Sequence, residues 1–287
     1  MAHIFSPRCD SRVLVRGEFL DLSGARLYYY AAGTRGAGVP VVFIHGFPTS
    51  SHLWADVVPL VPAGHRLVVL DLLGYGRSDR PLSHPVDAAS HASRVAELFD
   101  ELRIDRACVV GHGFGGGIAQ LLAARFSSRV SHLCLVDSAG FDRWPTFAGP
   151  VARSVAPVAG LLPPQAMVRL LRADVLRAYG DRERASHSID LYLRPFDCAE
   201  GRDALVAHVK AALGQDTRNL SAELAAITAP TSIVWGQLDR VVPLSIGRRL
   251  QQAISGATLE VIPGARHFTP EEAPRPVADA IESLLTR

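Results

Sequence analysis

The sequence predicts an α/β fold: a mostly parallel sheet flanked by helices, with a helical cap inserted late in the sheet. Three observations predict it. Continuous apolar, β-branched runs at 40–44, 67–70, 107–110, 130–136 and 231–235 have the pattern of strands covered on both faces by helices. Stretches with helical spacing, at 88–102, 118–126 and 244–254, alternate with these runs. From about 140 to 220 the alternation lapses into prolines, arginines and amphipathic pieces, and then it resumes. A core of residues 1–139 and 221–287 interrupted by a cap at 140–220 suits 287 residues better than two independent domains.

Taken from the amino end, residues 13–22 and 25–31 read as two strands split by a Ser23-Gly24 hairpin turn. A glycine-rich loop leads to the 40–44 strand, and Thr49, Ser50 and Ser51 supply a helix cap ahead of Leu53 and Trp54. The 67–70 strand opens into a loop at 71–79, and the 88–102 helix precedes the 107–110 strand. In the cap, 166–179 and 204–213 carry helical patterns. After the cap come the 231–235 strand, the 244–254 helix, a strand at 258–262 and a closing helix at 276–285.

A formal net charge of +2, with basic residues scattered rather than striped, argues against nucleic acid or an anionic membrane as partner and for a small-molecule ligand. The first ten residues contain no apolar signal core, and no later stretch approaches the ~18 apolar residues of a membrane span, so a cytoplasmic protein, monomer or homodimer, is expected. Cys9, Cys108, Cys134 and Cys198 lack C-x-x-C spacing and read as buried free thiols. Neither a metal-ligand spacing nor a convincing dinucleotide fingerprint is present, and no cofactor is expected.

The densest signal is Cys108-Val109-Val110-Gly111-His112-Gly113-Phe114-Gly115-Gly116-Gly117-Ile118-Ala119, where a strand stops in glycines and restarts as a helix. So tight a turn needs glycine where a Cβ would collide with a neighbouring element, and it holds its central residue in an uncommon backbone conformation. Four other segments accompany it: His45-Gly46-Phe47-Pro48 after a strand, the Asp71-Leu72-Leu73-Gly74-Tyr75-Gly76-Arg77-Ser78-Asp79 loop, Gly236-Gln237-Leu238-Asp239 and Gly264-Ala265-Arg266-His267. Together, over about residues 40–275, these segments resemble the α/β-hydrolase superfamily.

The resemblance implies a site. In G-x-S-x-G the central residue is the nucleophile, and here that position is Gly113. Asp239 corresponds to the acid and His267 to the base, in the order expected of the fold, while Asp137 is the rival acid because some members place the carboxylate after the preceding strand. The backbone N–H groups of Phe47 and Phe114 correspond to the oxyanion hole, and His45, Asp71 and Asp79 read as loop-orienting residues. The cap would sit over this face with Trp144, Phe147, Tyr179 and Tyr192 as pocket walls.

The flanks resemble more than one branch. With serine at 113 the turn would be an esterase-like elbow, whereas the 45–51 segment and the glycine run also resemble epoxide hydrolases and haloalkane dehalogenases, whose nucleophile is aspartate. Phe47 and Phe114 offer no indole or amide donor for a halide, but Tyr179 or Tyr192 would serve as the cap tyrosine of an epoxide hydrolase. The favoured expectation is an enzyme acting on a small apolar carbonyl substrate, by ester or carbon–carbon bond hydrolysis, with Gly113 engineered or native at the nucleophile position. The alternatives are a native nucleophile-less enzyme using His267 and Asp239 on water or on a substrate proton, an aspartate-type ancestry, and a ligand-binding relative without turnover.

Overall fold

The computed structural model describes residues 17–34, 38–141, 159–214 and 223–287. Strands β1 (Glu18–Leu22), β2 (Ala25–Gly33), β3 (Val41–Ile44), β4 (Arg66–Leu70), β5 (Ala107–His112), β6 (Val130–Val136), β7 (Thr231–Gly236) and β8 (Thr258–Ile262) form one sheet in the order β1-β2-β4-β3-β5-β6-β7-β8. The pairs β1/β2 and β2/β4 are antiparallel, and every pair from β4 to β8 is parallel. All four residues of β3 and all six of β5 are buried, which is why these strands read as unbroken apolar runs without alternation.

The helices are α1 (Ala88–Glu101), α2 (Phe114–Arg125), α3 (Pro164–Ala178), α4 (Arg182–Leu193), α5 (Ala199–Gly214), α6 (Leu244–Ala253), α7 (Thr269–Glu272) and α8 (Pro274–Leu285). Asp87 caps α1 by accepting the Ser90 N–H at 3.0 Å. Helix α2 is buried from Phe114 to Ala123 because it lies between the sheet and α1, so its apolar residues run all round rather than along one stripe. Its first turn is already helical at Phe114, so the glycine run belongs to the start of the helix that residues 118–126 continue. Residues 51–54 form only a 3-10 turn, capped by Ser50. The first strand is described from Glu18 onward, and residues 13–16 lie outside the described residues. Helix α4 was not anticipated: only Ala185, Ser188, Ile189, Tyr192 and Leu193 are buried, and the rest of the helix is polar. Cys108 and Cys134 are buried free thiols, whereas Cys198 is exposed because it stands in the turn before α5 rather than in a strand; Cys9 lies outside the described residues.

The strand order marks a candidate ligand site. From β3 the chain moves to β4 on one side and then returns past β3 to β5 on the other, so connections diverge between the carboxyl ends of β3 and β5. In open parallel sheets ligands bind at such a switch point. The loops bearing His45 and Gly113 leave those two ends. Helices α3, α4 and α5 pack over loops on the same edge: Ser188 and Tyr192 bond to Glu271, and the His208 Nε2 lies 3.1 Å from the Leu73 carbonyl. Trp144 and Phe147 lie outside the described residues.

Side chains fix the loops at this edge as the sequence suggests. The His45 Nδ1 donates to the Gly46 carbonyl at 2.9 Å while Nε2 accepts the Leu72 N–H at 2.9 Å, a division that requires the neutral ring, and burial lowers its pKa accordingly. The Asp71 carboxylate, fully buried, accepts the N–H groups of Ser51 at 2.6 Å and Arg77 at 2.9 Å. Asp79 accepts the Arg26 N–H at 3.0 Å and pairs with its guanidinium at 3.1 Å. Asp71→Ala strips the acceptor from two backbone donors, one of them deeply buried, at about 1–3 kcal/mol each. A urea unfolding curve of that variant is expected to show a loss of roughly 2–4 kcal/mol with an unchanged slope.

Candidate active site

The site begins with a close approach of backbones. A Cβ built on Gly115 would stand 2.2 Å from the carbonyl oxygen of Ile44 and 2.5 Å from that of His45, contacts no side chain tolerates, so glycine alone lets α2 start against the end of β3. The same turn forces Gly113 to φ 51° and ψ −117°, outside the basins L-residues prefer. It is tied down there, its N–H donating to the Val136 carbonyl at 3.2 Å and its carbonyl accepting from Gly116, Gly117 and Ala139. A Cβ at 113 would meet its nearest neighbours at 3.6 Å (His267 Nε2), 3.7 Å (Gly46 Cα) and 3.8 Å (His267 Cε1), which is ordinary contact. Position 113 therefore has room for a side chain, aimed at His267, although its backbone favours glycine.

His267, 4% exposed, stands in the loop between β8 and α7. The His267 Nδ1 donates to the Asp239 Oδ2 at 2.8 Å, which leaves Nε2 facing Gly113. Asp239 lies in the turn after β7, where Oδ1 accepts the N–H groups of Val241 at 2.7 Å and Val242 at 2.9 Å. Three donors thus converge on one buried carboxylate and set its orientation toward the imidazole. The His267 backbone is fixed as well: its N–H donates to the Ala178 carbonyl at 3.2 Å, and its carbonyl accepts from the His112 Nε2 at 2.8 Å. Burial holds the pKa of His112 well below the ordinary value, consistent with a neutral ring that donates from Nε2.

Asp137 is brought close but given other work. Its Oδ1 accepts the Gly236 N–H at 2.7 Å and its Oδ2 the Thr269 N–H at 3.2 Å, so it links the end of β7 to the start of α7. Those two bonds hold it at φ 43°, a left-handed conformation uncommon outside glycine but tolerated by aspartate. Burial, reinforced by the nearby charge of Asp239, drives its pKa well above the carboxylate range. One donor atom each from His112, Asp137 and His267 lies within 4.8 Å of the others, but these atoms' residues are engaged as described: both oxygens of Asp137 with backbone N–H groups, His112 with a carbonyl and His267 with Asp239. The cluster is organised as a hydrogen-bond network.

Phe47 and Phe114, whose N–H groups are the candidate oxyanion donors, follow β3 and open α2 at the switch point. Phe47 stands edge-on to Tyr75 with ring centroids 6.3 Å apart, and Phe114 edge-on to His91 at 5.6 Å. Tyr179 and Tyr192, each 1% exposed, are engaged by a residue the sequence did not single out. The Glu271 carboxylate accepts the hydroxyls of Tyr179 at 3.0 Å, Ser188 at 2.7 Å and Tyr192. Glu271 is one helical turn past His267, next to Glu272, and such an acidic pair reads as a solvated helix start; the only signal was its place on the loop of the candidate base. A recess of about 400 Å³ lined by Gly38, Pro40, Arg66 and Glu101 opens at the amino ends of β3 and β4, the edge away from these groups.

Residues 39–274 match the family model described as alpha/beta hydrolase fold. The chain is similar to haloalkane dehalogenase 2 of Mycobacterium tuberculosis, 30% identical over 275 residues that cover 92% of this chain and 93% of the other. It is also similar to a 2-hydroxymuconate semialdehyde hydrolase of a Pseudomonas species, 30% identical over 251 residues, 83% of this chain and 86% of that one. Among solved structures, an alpha/beta hydrolase fold protein from Burkholderia ambifaria superposes with a TM-score of 0.80 at 27% identity, covering 93% of this chain and 97% of that one. No helix among the described residues is long and apolar enough to cross a membrane.

The environment of Glu271 yields a pH signature. Burial raises its pKa from 4.5 to about 7, the hydroxyls of Tyr192, Ser188 and Tyr179 working against the rise and Asp56 adding to it. The native protein therefore holds a proton here between about pH 4.5 and 7 that the unfolded chain releases. The stability this proton confers is fully present below the unfolded pKa and is lost as pH rises through the folded one, at up to about 1.4 kcal/mol per pH unit. Asp137 contributes with the same sign, so the test is a difference. The stability of the unsubstituted protein minus that of Glu271→Gln, from denaturant melts at half-unit steps, is expected to fall between pH 5 and 7 and to level off above.

Proposed function

The chain belongs to the alpha/beta hydrolase fold family, and we propose that within it this enzyme acts on a small, apolar, carbonyl-containing substrate, an ester or an activated carbon–carbon bond. In this reading Gly113 occupies the family's nucleophile position, His267 is the base, Asp239 orients it, the N–H groups of Phe47 and Phe114 receive the oxyanion, and residues 140–220 form the lid. One observation carries it: a complete His267–Asp239 pair at 2.8 Å whose free ring nitrogen faces the Cβ position of residue 113 at 3.6 Å. An imidazole so oriented can exchange a proton with a group seated there.

With glycine at 113 no acyl-enzyme forms, and the chemistry passes to a water held where the nucleophile's oxygen would stand. His267 Nε2 takes a proton from that water as its oxygen bonds to the substrate carbonyl carbon, and the carbonyl electrons move to the oxygen facing Phe47 and Phe114. The tetrahedral intermediate then collapses, the bond to the leaving group breaks, and the His267 imidazolium returns the proton to that group. Asp239 stabilises the imidazolium without itself being protonated. Hydrogen-bond donors of this kind are worth about 10²–10³ each in rate.

The relative named as a haloalkane dehalogenase supports an aspartate-type ancestry as the second reading. Two features weigh against that activity here. Gly113 has no carboxylate to displace a halide, and the phenyl side chains of Phe47 and Phe114 donate no hydrogen bond to one. The hydroxyls of Tyr179 and Tyr192, which would have to reach an epoxide oxygen, are directed to Glu271 instead.

Substitution at 113 separates these readings. Gly113→Ser should confer labelling by a fluorophosphonate and turnover of activated aryl esters by at least about 10²-fold over the unsubstituted protein, given that losing a nucleophile from an intact triad costs on the order of 10⁶. Halide release from haloalkanes by Gly113→Asp, with no esterase gain in Gly113→Ser, would favour the aspartate ancestry. If the unsubstituted protein already hydrolyses a carbonyl substrate and Gly113→Ser abolishes this while remaining folded, glycine is native to the mechanism and the serine side chain takes the place of the attacking water.

A second set of variants assigns the acid. In whichever form turns over, His267→Ala should remove activity, and Asp239→Asn should cost about 10³–10⁴ in turnover by misdirecting the imidazole. Asp137→Asn should act mainly on stability. The reverse pattern for the two aspartates would make Asp137 the acid.

A further inference from the structure

Glu271 holds a full complement of hydrogen bonds from elements far from it in sequence. Tyr179, just past α3, and Ser188 and Tyr192 on α4 all direct hydroxyls to its carboxylate, which is 4% exposed. Beside it, Glu272 accepts the N–H groups of Gly180 and, at 2.6 Å, Arg266. The Arg266 guanidinium donates to the carbonyls of Tyr179 at 3.0 Å and Arg177 at 3.2 Å. The Tyr179 ring is stacked on Phe268 with centroids 4.0 Å apart and 14° between planes. Segment 177–192 is therefore stitched to the loop and helix start at 266–272, which includes His267.

A carboxylate is an expensive way to fill a core. Burying it costs several kcal/mol unless hydrogen bonds repay the lost hydration, and apolar side chains of similar volume would pack at no such cost. What a carboxylate adds is direction: two oxygens can gather three hydroxyls from two separate segments into one geometry. The lever from there to the base is short. The N–H groups of Glu271 and Glu272 both donate to the Phe268 carbonyl at 2.9 Å, so the carboxylate is anchored one residue away from His267.

We propose that Glu271 is a positioning residue: by gathering the hydroxyls of Tyr179, Ser188 and Tyr192 it fixes α3 and α4 to the loop of His267, so that the imidazole is aligned on Asp239 and Gly113 only when those helices are docked. The proposal rests on His267 being the base. It gives Tyr179 and Tyr192 a part in the site through Glu271 rather than through contact with substrate. Other charged or titratable groups around the cluster are Asp56, paired with Arg184 at 3.6 Å, His52, edge-on to Tyr192 at 6.0 Å, and Glu272 and Arg266 on the loop itself.

Two measurements on the full chain test it, neither requiring a substrate. The first is amide hydrogen exchange of 182–193 and of 264–272, with 88–101 as the control. The second is the low-field proton resonance of the His267 Nδ1–H bonded to Asp239, assigned by its loss in Asp239→Asn. In Glu271→Ala both segments are expected to exchange about tenfold faster or more while the control is unchanged, and the resonance should broaden or vanish. Glu271→Gln, which retains an acceptor and a donor for the rotatable hydroxyls, should restore both. If Glu271→Ala does not fold, the Ser188→Ala/Tyr192→Phe double variant removes two of the three hydroxyls and carries the same expectation.

A folded variant in which 182–193 loosens while the resonance and 264–272 stay as they were overturns the proposal, because docking and alignment would then be independent. No change in either segment overturns it too. A low-field resonance missing from the unsubstituted protein would count against the His267–Asp239 pairing instead, and joint loosening of the two segments would still decide the part played by Glu271.

Discussion

The contact between the start of α2 and the carboxyl end of β3 is the constraint on which the rest of the site depends. Parallel neighbours β3 and β5 end side by side, and the chain leaving β5 must turn into a helix without striking the carbonyls of Ile44 and His45. Glycine at 115 makes that approach feasible, and the consequence is the strained turn at Gly113, aimed at His267. Strain of this kind persists only where the surroundings over-determine it, and here four backbone hydrogen bonds to Gly113 do so. Direction at position 113 is thus a property of the sheet, independent of the side chain there.

Besides Asp71, three buried carboxyl groups surround the loop of His267 and divide the labour by what each is bonded to. Asp239 spends one oxygen on two backbone N–H groups and turns the other to His267. Asp137 gives both oxygens to backbone donors and joins β7 to α7. Glu271 gives both to hydroxyls and joins α7 to α3 and α4. The backbone of the 267–269 loop is accordingly held from the sheet side by Asp137 and His112, and from the helical side by Ala178. In the proposed chemistry the base needs such bracing, because a misplacement of about 1 Å in a catalytic group can cost 10²-fold.

An aromatic column runs through the same place. Tyr179 stacks on Phe268, Phe268 on His112 at 5.8 Å, and His112 stands edge-on to Trp54 at 6.5 Å, which itself leans on Phe43 of β3 at 5.3 Å. The column passes from the helices above the sheet edge to the centre of the sheet. It packs the base loop with rigid rings, so the hydrogen bonds of Asp137 and Glu271 act on a segment that already has little freedom.

Strands β3, β5 and β7 were legible in the chain because residues buried on both faces must be apolar in an unbroken run, and the elbow was legible because the close approach to β3 demands glycine at set positions. The sequence also determined the loop ends on which Asp239, His267, Phe47 and Phe114 stand, through motifs that are local in the chain. It did not disclose α4, whose apolar contacts are few and whose clearest signal is the single Asp181 cap. It left Asp137 and Asp239 as rivals, since both end a strand and only the direction of each carboxylate distinguishes them. Glu271 was invisible, because an acidic pair at a helix start is ordinarily solvated and nothing local says that Tyr179, Ser188 and Tyr192 arrive over it. Those partners lie 79 to 92 residues away, and such pairings exist only once the sheet has closed and α3 and α4 have packed on its edge.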